Sequence, residues 1–164
     1  MGLLSNLLGI IPPEQPPELN TIFPATAAQK IRSGSLPTIQ ADKIILSAGE
    51  MCHFVDVGAA YTEKRRYQRT HMGGSYHMWK GFTLHTGRGE TVPFSEPEYT
   101  KGIFYITNHR VIFVASKNGF DKKINKITAL IPYTDAIGLQ FGSKTYNILL
   151  PDVQTAKLVL DMLI

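Results

Sequence analysis

The sequence predicts a mainly β domain of about seven antiparallel strands followed by one C-terminal helix. Three observations carry that prediction. From about Ala41 the chain consists of short runs rich in β-branched and aromatic residues, separated by turn signals. Residues 102–107 and 110–116 flank the pair Asn108-His109, the pattern of a tight hairpin, because asparagine tolerates the left-handed backbone that such turns need. After Leu150 the apolar period changes from strand-like to helical.

The elements follow in order. Residues 51–61 hold Phe54, Val55, Val57 and Tyr61 and predict a first strand, and residues 79–85 alternate as a second. The hairpin at 102–116 supplies the next pair. Asn118-Gly119 is a turn before a strand at 120–124 and another at 127–133. Residues 136–141 and 145–150, joined by Gly142-Ser143, form a last hairpin. Pro151 and Asp152 then offer a helix start, and Val153, Ala156, Val159, Leu160 and Leu163 trace one apolar face. A single amphipathic helix laid over the open end of a curled sheet covers apolar side chains that are otherwise left in water.

Residues 1–40 have a different texture and are set apart from the domain at 41–164. Leu3, Leu4, Leu7, Leu8 and Ile11 recur at helical spacing, and Pro12 and Pro13 end the pattern. Six of the ten prolines lie in this segment, and the stretch between Pro12 and Pro37 shows no sustained period and reads as a Pro-rich arm. It is either a spacer carrying a docking helix or an arm folded back on its own domain. The apolar start is too short to span a bilayer, lacks a basic leader, and has Asn6 where a myristoylation motif needs Ser or Thr. A cytoplasmic location, peripheral to a membrane at most, is the expectation.

Composition narrows the function. Of 164 residues 43% are apolar and 18% charged, enough for a packed core and too little charge for a disordered chain. The lone Cys52 excludes an internal disulfide and a thiolate zinc site, and its apolar strand suits a small buried hydrophobe. The net charge of +4 is concentrated in residues 61–90, where Lys64, Arg65, Arg66, Arg69, Lys80 and Arg88 face only Glu63 and Glu90. The rest of the chain holds eleven of each sign. The same window holds Tyr61, Tyr67, Tyr76, Trp79 and Phe82. Its histidines, His71, His77 and His85, stand at spacings that share no helical face and have no carboxylate or cysteine beside them in a ligand pattern, so no metal is expected. His53 and His109 read as strand and turn residues. Gly87-Arg-Gly89 lacks the Gly-Lys-Ser/Thr of a phosphate loop, and no nucleophile, base and orienter come together in the sequence. A non-catalytic chain without a cofactor is expected.

The stretch Gly102-Ile-Phe-Tyr-Ile-Thr-Asn-His-Arg-Val-Ile-Phe-Val-Ala-Ser116 resembles the central hairpin of GRAM and bacterial PH-like domains: a glycine, a strand ending in Thr-Asn, a basic residue, then an apolar strand. Residues 123–133 resemble a further strand element of that family. The resemblance covers roughly residues 49–164. It implies a partly open β-barrel capped by a C-terminal helix, with Gly102, Thr107, Asn108 and Arg110 as its structural motif, used to bind lipids, peptides or proteins. In such domains basic residues around the loop between the first two strands hold phosphorylated head groups, which would cast Lys64, Arg65, Arg66, Arg69, Lys80 and Arg88 as a basic loop. Arginine suits that role because its planar fork pairs with phosphate oxygens. A solvated strand end is the plainer reading of the same residues.

The function expected is therefore a binding module for an anionic membrane surface or a protein partner. The alternatives are an assembly protein that self-associates through Leu3, Leu4, Leu7 and Leu8, and a weak single-stranded nucleic-acid binder that uses the interleaved aromatic and basic residues.

Overall fold

The computed structural model of the chain describes residues 14–78 and 82–164, and for residues 68, 70–78 and 82–90 the backbone alone. Helix α1 (Ala25–Arg32) precedes strands β1 (Cys52–Met78), β2 (Phe82–Thr107), β3 (Arg110–Ala115) and β4 (Phe120–Lys123). A 3₁₀ turn (Ile124–Lys126) leads to β5 (Ala129–Pro132), β6 (Ala136–Phe141) and β7 (Lys144–Leu149), and helix α2 (Val153–Leu163) ends the chain. The strands form one open sheet in the order β4-β3-β2-β1-β7-β6-β5, with antiparallel pairing. The chain divides into two compact units: a body of Gln15–Thr62 with Glu98–Ile164, and a second unit that includes Glu63–Pro97.

The expected hairpins appear with their turn chemistry. Ile103 pairs with Val114 and Tyr105 with Ile112 across the β2–β3 turn. Asn118 takes φ +57° between β3 and β4, a conformation that favours asparagine or glycine, and Gly142 takes φ +61° between β6 and β7. Asp152 caps α2: it accepts a hydrogen bond from Thr155 N at 3.0 Å and from Thr155 Oγ1 at 2.6 Å, and pairs with Arg32 at 3.1 Å.

The body's main core lies on one sheet face. Phe54 of β1, Phe104 and Ile106 of β2, Phe113 of β3, Ile137 and Leu139 of β6 and Ile148 of β7 pack there against Val153, Ala156, Val159 and Leu160 of α2. The helix thus buries the apolar face that its sequence marks out.

Three expectations change. The first strand continues past residue 61 to Met78, and residues 82–85 open a strand that runs unbroken to Thr107; Trp79 lies outside the described residues. The added residues are mostly polar or glycine in sequence and carry little strand signal, and β1 and β2 are neighbours in the sheet. The strand expected at 127–133 is shorter, because the 3₁₀ turn occupies residues 124–126.

The Pro-rich segment also holds more structure than its sequence suggests. Residues 25–32 form α1, whose Ala27, Ala28 and Ile31 are buried together with Phe23 in the main core. Two turns with small apolar residues leave almost no periodic signal. Of the two readings of the arm, the folded-back one describes residues 15–40.

Candidate functional site

The Thr107-Asn108-His109-Arg110 turn is the most densely hydrogen-bonded part of the body. Thr107 Oγ1 donates to Glu50 Oε1 at 2.7 Å and accepts from the backbone N–H of His109 and Arg110. Arg110 donates through Nε to Glu50 Oε1 at 2.8 Å and through Nη2 to Glu50 Oε2 at 3.2 Å; it also reaches Asp121 and the Ile45 carbonyl. Asn108 accepts from Met51 N at 2.9 Å and donates to Gly49 O at 3.1 Å. The motif residues thereby clamp the loop that enters β1 to the β2–β3 turn. Gly102 has a packing reason: a Cβ there would stand 2.7 Å from the Phe113 ring and against the Val114 carbonyl. The Glu50 side chain is 1% exposed. Burial acts to raise its pKa, but hydrogen bonds from Arg110, Ser47 N and Thr107 outweigh it and hold the carboxyl at about 2. The cluster is therefore a satisfied structural lock.

Four of the basic residues lie in a strand rather than in a loop. Lys64, Arg65, Arg66 and Arg69 are exposed positions within β1. The alternation of a strand puts Lys64 and Arg66 on one face and Arg65 and Arg69 on the other. Arg66 is paired with Glu96 at 2.5 Å. Tyr67, on the face of Arg65 and Arg69, is 71% exposed. Arg88 lies on the β2 backbone, and Lys80 and Leu3, Leu4, Leu7 and Leu8 lie outside the described residues.

The arm is fixed to β1 by polar contacts that the sequence does not advertise. Asp56, 0% exposed, accepts from Ile22 N and Thr21 Oγ1 at 2.8 Å each and from Val57 N at 2.9 Å. His53 Nδ1 donates to the Pro37 carbonyl at 2.7 Å, since a carbonyl can only accept. Ile39 bridges to Cys52. A hollow of about 430 Å³ lies between arm residues such as Ile22 and Gln40 and the strand residues Val55, Ile103 and Tyr105.

A second hollow, about 310 Å³, lies where β1, β2, β6 and β7 present the face opposite the main core. Ala59, Ala136 and Leu149 form its apolar cluster, with Leu19 of the arm packed against them. Tyr61 and Tyr99, their ring centroids 5.7 Å apart, Tyr133 and Asn147 line it, with Asp135 at the rim and Pro16 alongside. Tyr133 is 48% exposed. Asn147 Oδ1, packed over Gly138, is buried and makes no hydrogen bond among the described residues.

No family model, no curated protein and no solved structure matches this chain. Function therefore has to be read from these residues. Cys52 is buried, donates to the Phe54 carbonyl at 3.3 Å, and has its thiol pushed up to about 11 by burial, which keeps it protonated and unreactive near neutral pH. The His53 ring is committed to the arm. Among the described residues no helix is long and apolar enough to cross a membrane, and no three His, Cys, Asp or Glu side chains come together as metal ligands.

The tyrosine-lined hollow escapes the sequence reading because its residues are scattered from position 16 to 149 and join only through the sheet order. Tyr61 was visible as the end of the first strand, but nothing in the spacing of Tyr99, Tyr133 and Asn147 brings them to it.

Proposed function

We propose that this chain is a non-catalytic, PH-like binding module whose partner is a short protein segment seated in the tyrosine-lined groove. The observation that carries the reading is the groove itself: the phenol rings of Tyr61, Tyr99 and Tyr133 around an apolar floor, on the sheet face away from the main core. Aromatic walls with a few placed polar groups are what peptide grooves need, because rings supply contact area at little entropic cost and polar groups fix register. The strand order and the C-terminal helix packed on the sheet support the PH-like comparison.

Strand addition at a sheet edge is less favoured. The edge strands β4 and β5 have four residues each; β4 carries Lys122 and Lys123, and β5 ends in Pro132, features that discourage edge pairing.

Random-peptide phage display on the full chain tests the reading. Enriched peptides are expected to lose at least about tenfold in affinity for Tyr133→Ala, as for an aromatic anchor at an interface. Equal affinity of the enriched peptides for both proteins overturns the groove as the site.

The exposure of Lys64, Arg65, Tyr67 and Arg69 along one strand favours a second reading, attachment to an anionic membrane surface. Its expected result is co-sedimentation with phosphatidylserine-containing vesicles but not with neutral ones. Changing Lys64, Arg65, Arg66 and Arg69 together to serine then leaves the protein in solution. Sedimentation of the serine variant with the same vesicles rules out the basic strand as the site.

A further inference from the structure

The long parts of β1 and β2 have few strand neighbours. β7 pairs with β1 at residues 59–61 and ends at Lys144, so its register takes it no further along β1 than residue 64. β3 pairs with β2 at residues 102–106. The sheet order gives the two strands no other neighbour, so among the described residues the β1 backbone from 65 to 78 has an outer edge that no strand covers. Residues 63–67 and 69 of β1 and 91–95 of β2 are all exposed. Side chains alternate along a strand, so these runs lie on both faces of the ribbon. A two-stranded ribbon in water is marginal by itself, and a further strand on its edge supplies the missing ladder.

The two edges of the ribbon are unlike. β2 carries Pro93 and Pro97, which have no N–H to give an added strand and, standing an even number of places apart, withhold it on the same side. Residues 63–78 of β1 hold no proline. Their charge is segregated along the strand: Lys64, Arg65, Arg66 and Arg69 fill the first half, and residues 70–78 contain no Lys, Arg, Asp or Glu. A second β1 laid antiparallel brings each basic half beside a neutral one, whereas a parallel copy stacks the four cations on their counterparts.

Directly opposite side chains share a sheet face, so an antiparallel two-fold must bring one residue onto its own counterpart. Centred on His71, the pairing runs along the uncovered edge from residue 65 to residue 77 and sets Arg65 opposite His77 and Tyr67 opposite Ser75. The four-stranded sheet that results has a proline-bearing β2 at each margin, so it adds no third copy.

We propose that the uncovered β1 edge binds a second copy of this chain, the two β1 strands pairing antiparallel about His71 across a two-fold axis. This edge shares no residue with the tyrosine-lined groove and does not depend on that reading.

Sedimentation velocity of the full chain over a concentration series at low salt tests it. A monomer–dimer equilibrium with no larger species is expected. Ser75→Lys with His77→Lys sets cations against the basic half of the other copy and is expected to weaken the dimer at least about tenfold, each substitution counting twice across the two-fold. Ser75→Glu with His77→Glu sets anions there and is expected to tighten it several-fold. Both variants change the same two positions, so the difference between them reads charge rather than strand formation, and circular dichroism verifies the fold of each. Amide exchange within residues 65–78 is expected to slow as dimer forms. A chain that stays monomeric at several hundred micromolar overturns the proposal, and species that keep growing with concentration overturn closure at two copies. A dimer held equally well by the lysine and glutamate variants overturns the β1 edge as its seat.

Discussion

Replacing Arg110 by alanine is expected to destabilise the protein by about 3–4 kcal/mol at pH 7, the cost of leaving one partner of a buried ion pair behind. Arg110 is 24% exposed, while the Glu50 carboxylate it holds is 1% exposed and cannot turn to water without opening the clamp. Asp121 and the Ile45 carbonyl lose their donor in the same step. Arg110→Lys should recover only part of the loss, because an ammonium cannot reproduce the forked contact to both Glu50 oxygens.

The pH dependence separates charge from packing. Glu50 titrates at about 2 in the folded chain against an ordinary 4.5, so its contribution is complete above about pH 4.5 and is lost as pH falls towards 2. A shift of that size corresponds to about 3 kcal/mol at most. Without Arg110, burial is opposed only by the bonds from Ser47 N and Thr107, so the carboxyl pKa rises and protonation comes more readily. The stability gap between the unaltered chain and Arg110→Ala should therefore narrow between pH 7 and pH 3.5. Urea denaturation at both pH values measures it, and a gap that does not change with pH means that Arg110 acts through packing alone.

That lock shows which part of the molecule was legible beforehand. The Thr107-Asn108-His109-Arg110 turn, the Asn118 turn and the Asp152 cap are local: each is specified by residues a few positions apart, and each was readable. What the turn holds was not, since Glu50 lies 57 residues before Thr107 and looks in sequence like any polar residue before a strand. The same limit hid helix α1, whose burial depends on a core built by strands far along the chain. It also misplaced the basic window. Lys64, Arg65, Arg66 and Arg69 have the composition of a loop, but the neighbouring β2 strand extends them, and extension divides their charges between two faces. The groove lay furthest from view, because its tyrosines come from separate elements that meet only in the folded sheet.

Asp56→Ala is expected to cost about 3 kcal/mol and to act at a distance from its own strand. What Asp56 provides is acceptor capacity for Thr21, Ile22 and Val57. Thr21 and Ile22 are exposed, so once their acceptor is gone they can turn to water, and the segment then lifts with Phe23 and the start of α1. Opening should therefore precede global unfolding. The signature is faster hydrogen exchange at the Ile22 amide and protease cleavage within residues 14–24 under conditions where the amides of β3 remain protected. Asp56→Asn should cost only about 1 kcal/mol, because its Oδ1 still accepts from both backbone N–H groups and the Thr21 hydroxyl can reverse to meet the new amide donor. If Asp56→Ala leaves exchange at Ile22 unchanged, the carboxylate is not what holds the arm, and the His53–Pro37 contact with α1 packing must do so.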